Sequence, residues 1–257
     1  MSTVNFAYVL RSVQMVLIFI TYTCAGNVFA NECIKDDCIN GHGVYLWNSG
    51  KKYEGEWKDG KRHGRGTLTY ADKARYEGEW KNDRMHGQGS KVYPDGSQYM
   101  GEWKNGNRDG NGTMIYHANS KYVGQWKNGL EHGYGTVSYK GMSRVSRFAG
   151  EWNNGEKNGK GTVYYPEGTL YITQWRNNSC LGEGKIVCTD GRQFFLAEFK
   201  DKKLGRLGPW REKMGYSLEQ IGDYLDFPSP LIGDWENGTY EVPINVWLRL
   251  KCLEGKN

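Results

Sequence analysis

A 23-residue step governs this chain. The segment YEGEWKDGKRHGRG at 53–66 returns as YEGEWKNDRMHGQG at 76, YMGEWKNGNRDGNG at 99 and YVGQWKNGLEHGYG at 122, and after a step of 26 as FAGEWNNGEKNGKG at 148. Units start at Tyr53, Tyr76, Tyr99, Tyr122, Phe148 and Tyr171, and a tryptophan follows four residues later in all six, at Trp57, Trp80, Trp103, Trp126, Trp152 and Trp175. Glycine lies between them at Gly55, Gly78, Gly101, Gly124 and Gly150, with Thr173 in the sixth unit. Units this short bury too little to fold alone, so the copies must stack into a quasi-one-dimensional array.

Tyr-x-Gly-x-Trp, with Glu, Gln or Lys in the gaps, has a period of two, which gives a strand one aromatic face and one charged face. The Asn-Gly and Asp-Gly pairs that follow suit tight reversals with positive φ. A second alternating run comes next, as in Gly64, Gly66, Leu68 and Tyr70. Each unit therefore reads as a β-hairpin, and the turns PDG at 94 and PEG at 166 lead into the following one. The glycines leave room on the aromatic face for neighbouring rings to lie down. Each buried ring removes about 150–250 Å² from water, worth at most a few kcal/mol at about 25 cal/mol per Å². The expected fold is all-β, one elongated twisted sheet of stacked antiparallel hairpins with a small C-terminal cap.

This pattern resembles the MORN repeat: Tyr-x-Gly-x-Trp-x-x-Gly, then Gly-x-Gly and a closing Tyr near an Asp-Gly or Glu-Gly turn. The resemblance covers six units from Tyr53 to about Gln193, with a half unit NGHGVYLWNSG at 40–50 before them and a decayed unit FLAEFKDKKLGRLG at 195–208 after them. Departures are local. Asp83 and Asn178 replace the turn Gly, Thr173 replaces the strand Gly, Cys188 replaces the closing Tyr, and YKGMSRVSR carries three extra residues. The resemblance implies a grooved sheet used for binding and scaffolding. Such arrays occur beside lipid kinases, a lysine methyltransferase and junction-forming membrane proteins, and are linked to membrane lipids and self-association, without one shared ligand.

The remaining segments give four domain expectations: residues 1–30 a signal peptide, 31–39 a cysteine-containing lead-in, 40–208 the array and 209–257 the cap. Residues 1–30 hold no acidic residue, one Arg at position 11, an apolar core and small residues at Val28 and Ala30, as a secretory signal cleaved after Ala30 requires. The alternative is a membrane anchor, but the run 12–25 is 14 residues with Gln14 inside it, short of the roughly 20 that span a bilayer. Export makes disulfides expected. Cys33 and Cys38 are close enough to bridge before the first repeat. Cys180 and Cys188, eight residues apart in strand, lie up to about 26 Å apart, beyond the reach of a disulfide, so Cys252 becomes a candidate partner for either. Within 209–257, SLEQIGDYLDF reads as a helix capped by Ser217 and YEVPINVWLRL as a strand; about 49 residues is marginal for an independent domain, so the segment is expected to cap the open end of the sheet.

Several recurring side chains suggest chemistry. His63, His86 and His132 share one register position, but equivalent positions in stacked hairpins are about 10 Å apart, too far to share a zinc ion. They are expected to be solvated turn residues, with no metal. Lys58, Lys81, Lys104 and Lys127 form a ladder opposite the aromatic face, suited to phosphate or anionic lipid head groups; Glu56, Glu79 and Glu102 on the same face make cross-strand ion pairing the competing expectation. A net charge of only +5, with both signs interleaved, gives little pull toward nucleic acid. No nucleophile-base set, phosphate loop or HExxH motif stands out. The expectation is an exported, non-enzymatic scaffold without cofactor or nucleic-acid partner, binding a protein or, alternatively, an anionic membrane surface, with self-association left open.

Overall fold

The computed structural model describes residues 31–117, 120–140, 145–199 and 207–254. The candidate signal segment 1–30 lies outside the described residues, as does part of the insertion near 141–144. Among the described residues, fifteen strands form one open antiparallel sheet, each paired with the next in the chain. At about 4.8 Å per strand, it extends roughly 65–70 Å.

The six units are six hairpins: β3 (Lys52–Lys58) with β4 (Lys61–Thr69), β5 (Arg75–Lys81) with β6 (Arg84–Val92), β7 (Gln98–Lys104) with β8 (Asn107–Ile115), β9 (Lys121–Lys127) with β10 (Leu130–Ser138), β11 (Arg147–Asn153) with β12 (Glu156–Tyr164), and β13 (Leu170–Arg176) with β14 (Ser179–Val187). Their turn residues both take positive φ, as at Asp59 (51°) and Gly60 (68°), the geometry that matches strand twist. Asp83 and Asn178 hold it at 67° and 65° without glycine, and each side chain accepts a backbone N–H from the preceding hairpin, that of Arg62 at 3.0 Å and that of Lys157 at 2.9 Å. Those two departures from the repeat thus exchange a glycine for a link between units.

The aromatic face forms an unbroken ladder. Tyr53 meets Trp57 and Trp80 edge to face at centroid distances of 5.0 and 5.4 Å, and the alternation continues through Phe148 and Trp175. Such tilted pairs add to burial, and Tyr53, Tyr76, Tyr99, Tyr122 and Phe148 are fully buried. Each Trp up to Trp152 donates its indole N–H to a glycine carbonyl of the previous unit, as Trp80 does to Gly66 at 3.1 Å. Trp175 is half-buried, and its buried indole N–H has no acceptor among the described residues; here Thr173 stands in the strand where the other units have glycine.

The tyrosine hydroxyls donate to the carbonyl three residues on, as from Tyr99 to Glu102 at 3.0 Å. Phe148 lacks this bond. Phe148→Tyr is therefore expected to stabilise the protein by about 1 kcal/mol, raising the denaturant midpoint with an unchanged slope; a lowered midpoint would show that the fifth unit has no room for the hydroxyl.

Both ends of the array differ from the expected boundaries. At the start, β1 (Glu32–Asp36) pairs with β2 (Gly41–Leu46), so the lead-in completes the half unit as a hairpin, joined by the Cys33–Cys38 disulfide. At the far end, β15 (Gln193–Phe195) is three residues long and runs into a 3₁₀ turn, Leu196–Phe199, instead of opening the expected decayed hairpin. Ala197 stands there where five of the six units have glycine.

Four helices follow: α1 (Leu207–Met214), α2 (Leu218–Leu225), α3 (Ser229–Glu236) and α4 (Ile244–Lys251). The Ser217 cap is present as a capping box with Gln220. The expected strand YEVPINVWLRL is instead α4. Residues 246–250 are all buried, and a segment buried on every side carries no periodicity to separate strand from helix. Pro243 then starts the helix. Leu248 and Cys252 pack into the array core, while Val246, Trp247 and Leu250 join the core of the helices. One helix thus bonds the cap to the sheet, and the Cys188–Cys252 disulfide clamps it. Cys180 is left as an exposed free thiol.

Candidate functional site

Two faces could receive a partner, and the hairpin irregularity shapes both. In β4, Arg62 pairs with Trp57 and Gly66 with Gly55, so residues 63–65 bulge opposite Glu56. The bulge leaves backbone N–H groups without a strand partner, and the side chain opposite folds over to accept one. Glu56 accepts from Arg65 at 2.7 Å, Glu79 from Gln88 at 2.8 Å, Glu102 from Asn111 at 2.7 Å, Gln125 from Tyr134 at 2.9 Å and Glu151 from Lys160 at 3.2 Å.

This arrangement corrects the expectation of a Glu–Lys ladder. The carboxylates cap backbone, and Lys58, Lys81, Lys104 and Lys127 stand exposed with no ion pair among the described residues. A depression of about 510 Å³ lies between Lys104, Lys127, Asp109 and His132 on this side. His63, His86 and His132 are not turn residues either. They sit at the bulges of β4, β6 and β10, half-buried, with each Nδ1 buried and unbonded among the described residues.

The aromatic face carries a second row beside the ladder. The closing residues Trp47, Tyr70, Tyr93, Tyr116 and Tyr139 are only half-buried and line up as a strip against the core. The next member, Tyr165, is 8% exposed because α4 covers it. The Arg249 guanidinium lies 3.8 Å above its ring and bonds Glu167 at 2.6 Å. The place of the seventh is taken by Cys188, held to Cys252. The strip is therefore covered by α4 over its last two positions and open over its first five.

Cations border the open part. Lys51 lies 4.3 Å from the Trp47 centroid, Lys91 4.9 Å from Tyr93 and 6.0 Å from Tyr70, Arg108 4.2 Å from Trp126 and Lys157 4.8 Å from Phe148. Arg62 lies similarly over Trp80 but is paired with Asp83 at 2.9 Å. Burial holds the ammonium pKa values of Lys51, Lys91 and Lys157 below the ordinary lysine range. Glu131 takes the register position of Arg62, Arg108 and Lys157, and its carboxylate accepts from the Tyr116 hydroxyl. Burial, and next that hydrogen bond, push the Tyr116 pKa well up.

The residues assigned to the repeat core lie together on the aromatic face, whereas the lysine ladder lies on the opposite one. The cation row and the Arg249–Glu167 seat escaped the sequence reading. Positions 62, 85, 108, 131 and 157 do recur in register, as Arg, Met, Arg, Glu and Lys, but their varied chemistry hides a common position until the rings beneath are seen.

A model of the MORN repeat matches seven segments, residues 35–52, 53–75, 76–98, 99–121, 122–141, 148–170 and 171–191. No curated protein matches. Among solved structures, the chain is similar to the TCP domain of Drosophila melanogaster SAS-4 in complex with a proline-rich motif of Ana2, at 13% identity and TM-score 0.42, over 67% of this chain and 92% of that one. A mutant of the TCP10 domain of Danio rerio CPAP is similar at 13% identity and TM-score 0.27, over 60% and 86%.

Proposed function

We propose that this chain, which belongs to the MORN repeat family, is an exported, non-enzymatic binding module that holds a protein partner against its open aromatic strip. The observation that carries the reading is the seat of α4: Leu248 and Cys252 enter the array core and Arg249 stacks on Tyr165, so this surface already holds one protein segment. Five equivalent closing positions have no such cover among the described residues. The two disulfides support an oxidising compartment, in keeping with the signal-like residues 1–30.

The ladder Lys58, Lys81, Lys104 and Lys127 supports a second reading, an anionic membrane surface, because the glutamates beside it are engaged with backbone and leave the ammonium groups free.

One experiment in the native host separates these. A photo-crosslinking residue at Tyr93 is expected to give discrete protein adducts, and one at Glu77 on the charged face none. Adducts from both positions alike, or from neither, would sink the strip reading. Sedimentation with anionic vesicles that disappears on changing the four lysines to Gln would favour the second. Protein recovered from the same cells is expected to begin at Asn31 in an exported fraction; an intact Met1 in the membrane pellet would count against export.

A further inference from the structure

We infer that the partner segment is acidic, an apolar helix whose carboxylates meet the unpaired cations Lys91, Arg108 and Lys157 on the open strip; the inference rests on the strip being the binding surface. Three observations on that face point the same way.

The first is a charge imbalance between the covered and the open parts. Where α4 covers the strip, the cation over the closing tyrosine comes from the helix, and the array supplies its counter-charge, Glu167. In the open part the array itself supplies the cations, and Lys91, Arg108 and Lys157 form no ion pair among the described residues; Arg108 donates to the Gly129 carbonyl and the Met114 sulfur, neither of them charged. A half-buried cation without an anion is costly, and attraction to the ring faces offsets only part of that. What these three cations lack is a paired negative charge.

The second is a carboxylate already in place. Glu131 occupies the position that is Arg or Lys in three other units, and the Tyr116 hydroxyl donates to it. A closing tyrosine on this strip therefore accepts a carboxylate as its hydrogen-bond partner. The hydroxyls of Tyr70, Tyr93 and Tyr139 donate to nothing among the described residues, which leaves three further donors for incoming carboxylates, each beside a cation.

The third is dimension. Tyr70 to Tyr139 covers three unit steps, about 30 Å, and a helix of about 18 residues is about 27 Å long. A partner helix can rest Leu or Phe side chains on the half-buried rings while Glu or Asp residues reach the cations. The lowered pKa values of Lys91 and Lys157 agree with this, since burial disfavours their charged forms and an arriving carboxylate would favour them.

The test uses the full chain and two synthetic helical peptides of about 18 residues, both with Leu on one face, one with Glu and one with Lys at the remaining positions. Binding is followed by fluorescence anisotropy at low and high salt. The Glu peptide is expected to bind about tenfold or more tightly than the Lys peptide, and Lys91→Gln with Arg108→Gln to weaken it about tenfold. Lys81→Gln with Lys104→Gln, on the opposite face, is expected to leave it within about twofold. If the strip variant does not fold, Tyr93→Phe and Tyr139→Phe keep the rings and remove the donors, and are expected to weaken the Glu peptide about threefold to tenfold.

Preference for the Lys peptide, with binding still lost in the strip variants, would overturn the acidic assignment and leave the strip as the binding surface. Binding of neither peptide overturns the inference. So does sedimentation with phosphatidylglycerol vesicles that is lost in Lys91→Gln with Arg108→Gln while the Glu peptide fails to bind, an outcome that assigns the cations to a lipid surface.

Discussion

Gly112→Ala is expected to destabilise the array by about 3 kcal/mol, the scale of overpacking a well-filled core or losing a buried ring. A Cβ there would stand 2.2 Å from Tyr99 Oη, 2.5 Å from its Cζ and 2.6 Å from its Cε2. Tyr99 cannot step aside. It is fully buried, its hydroxyl is bonded to the Glu102 carbonyl, and its ring is wedged between Trp103 and Trp126. The Gly112 carbonyl also receives the Trp126 indole N–H at 3.3 Å, so a shifted backbone would loosen the junction with the next unit.

Denaturation of three variants checks this. Tyr99→Leu alone is costly, but in Tyr99→Leu with Gly112→Ala the obstructing ring is gone, so the pair is expected to cost clearly less than the sum of the two. Strict additivity would show that the close approach is not the cause. Gly233→Ala is the control. Its Cβ would meet nothing within 4 Å inside α3, so the same chemical change is expected to stabilise by up to about 1 kcal/mol.

Replacing both Cys188 and Cys252 by Ser is expected to release the helical cap while the array stays folded. The bridge spans 64 residues, and closing a loop of that size stabilises by about 4 kcal/mol on the chain-entropy account. The four helices make a small core of their own, of a size that rarely stands alone. Array units depend mainly on their neighbours and should survive.

Hydrogen exchange reads this directly. Amides of α4 are expected to lose their protection, those of β5 to β10 to keep it, and Tyr165 to become accessible to solvent. Loss of protection across the whole sheet would mean that the cap is integral to the array. Removing Cys33 and Cys38 instead, five residues apart, is expected to fray only β1.

How much of this was legible in the sequence depended on which residues repeat. Tyr99, Gly101, Trp103 and their counterparts recur at fixed spacing with fixed chemistry, and only stacked hairpins place them usefully. Cys33 and Cys38 were legible from proximity. The Glu102 cap was not, because it depends on a bulge that leaves the N–H of Asn111 unpaired, and an alternating pattern shows no bulge. His86 was misplaced for the same reason: ten residues into a unit looks like a turn until the bulge draws it into the strand. The α4 segment failed as a strand because Val246, Leu248 and Leu250 alternate as a strand would, in a helix buried on all sides.

By itself, then, the sequence determined the array: its unit, its hairpins, its order along the chain and the aromatic face that buries its rings. Those follow from local periodicity and nearest-neighbour packing, which a repeat writes out again in every copy. The tertiary structure alone decided what happens on the faces. Which glutamates cap backbone, which lysines remain unpaired, and where α4 comes down on Tyr165 depend on contacts between residues as far apart as Glu167 and Arg249. No local pattern encodes such a contact, because its partners meet only after the sheet has been built.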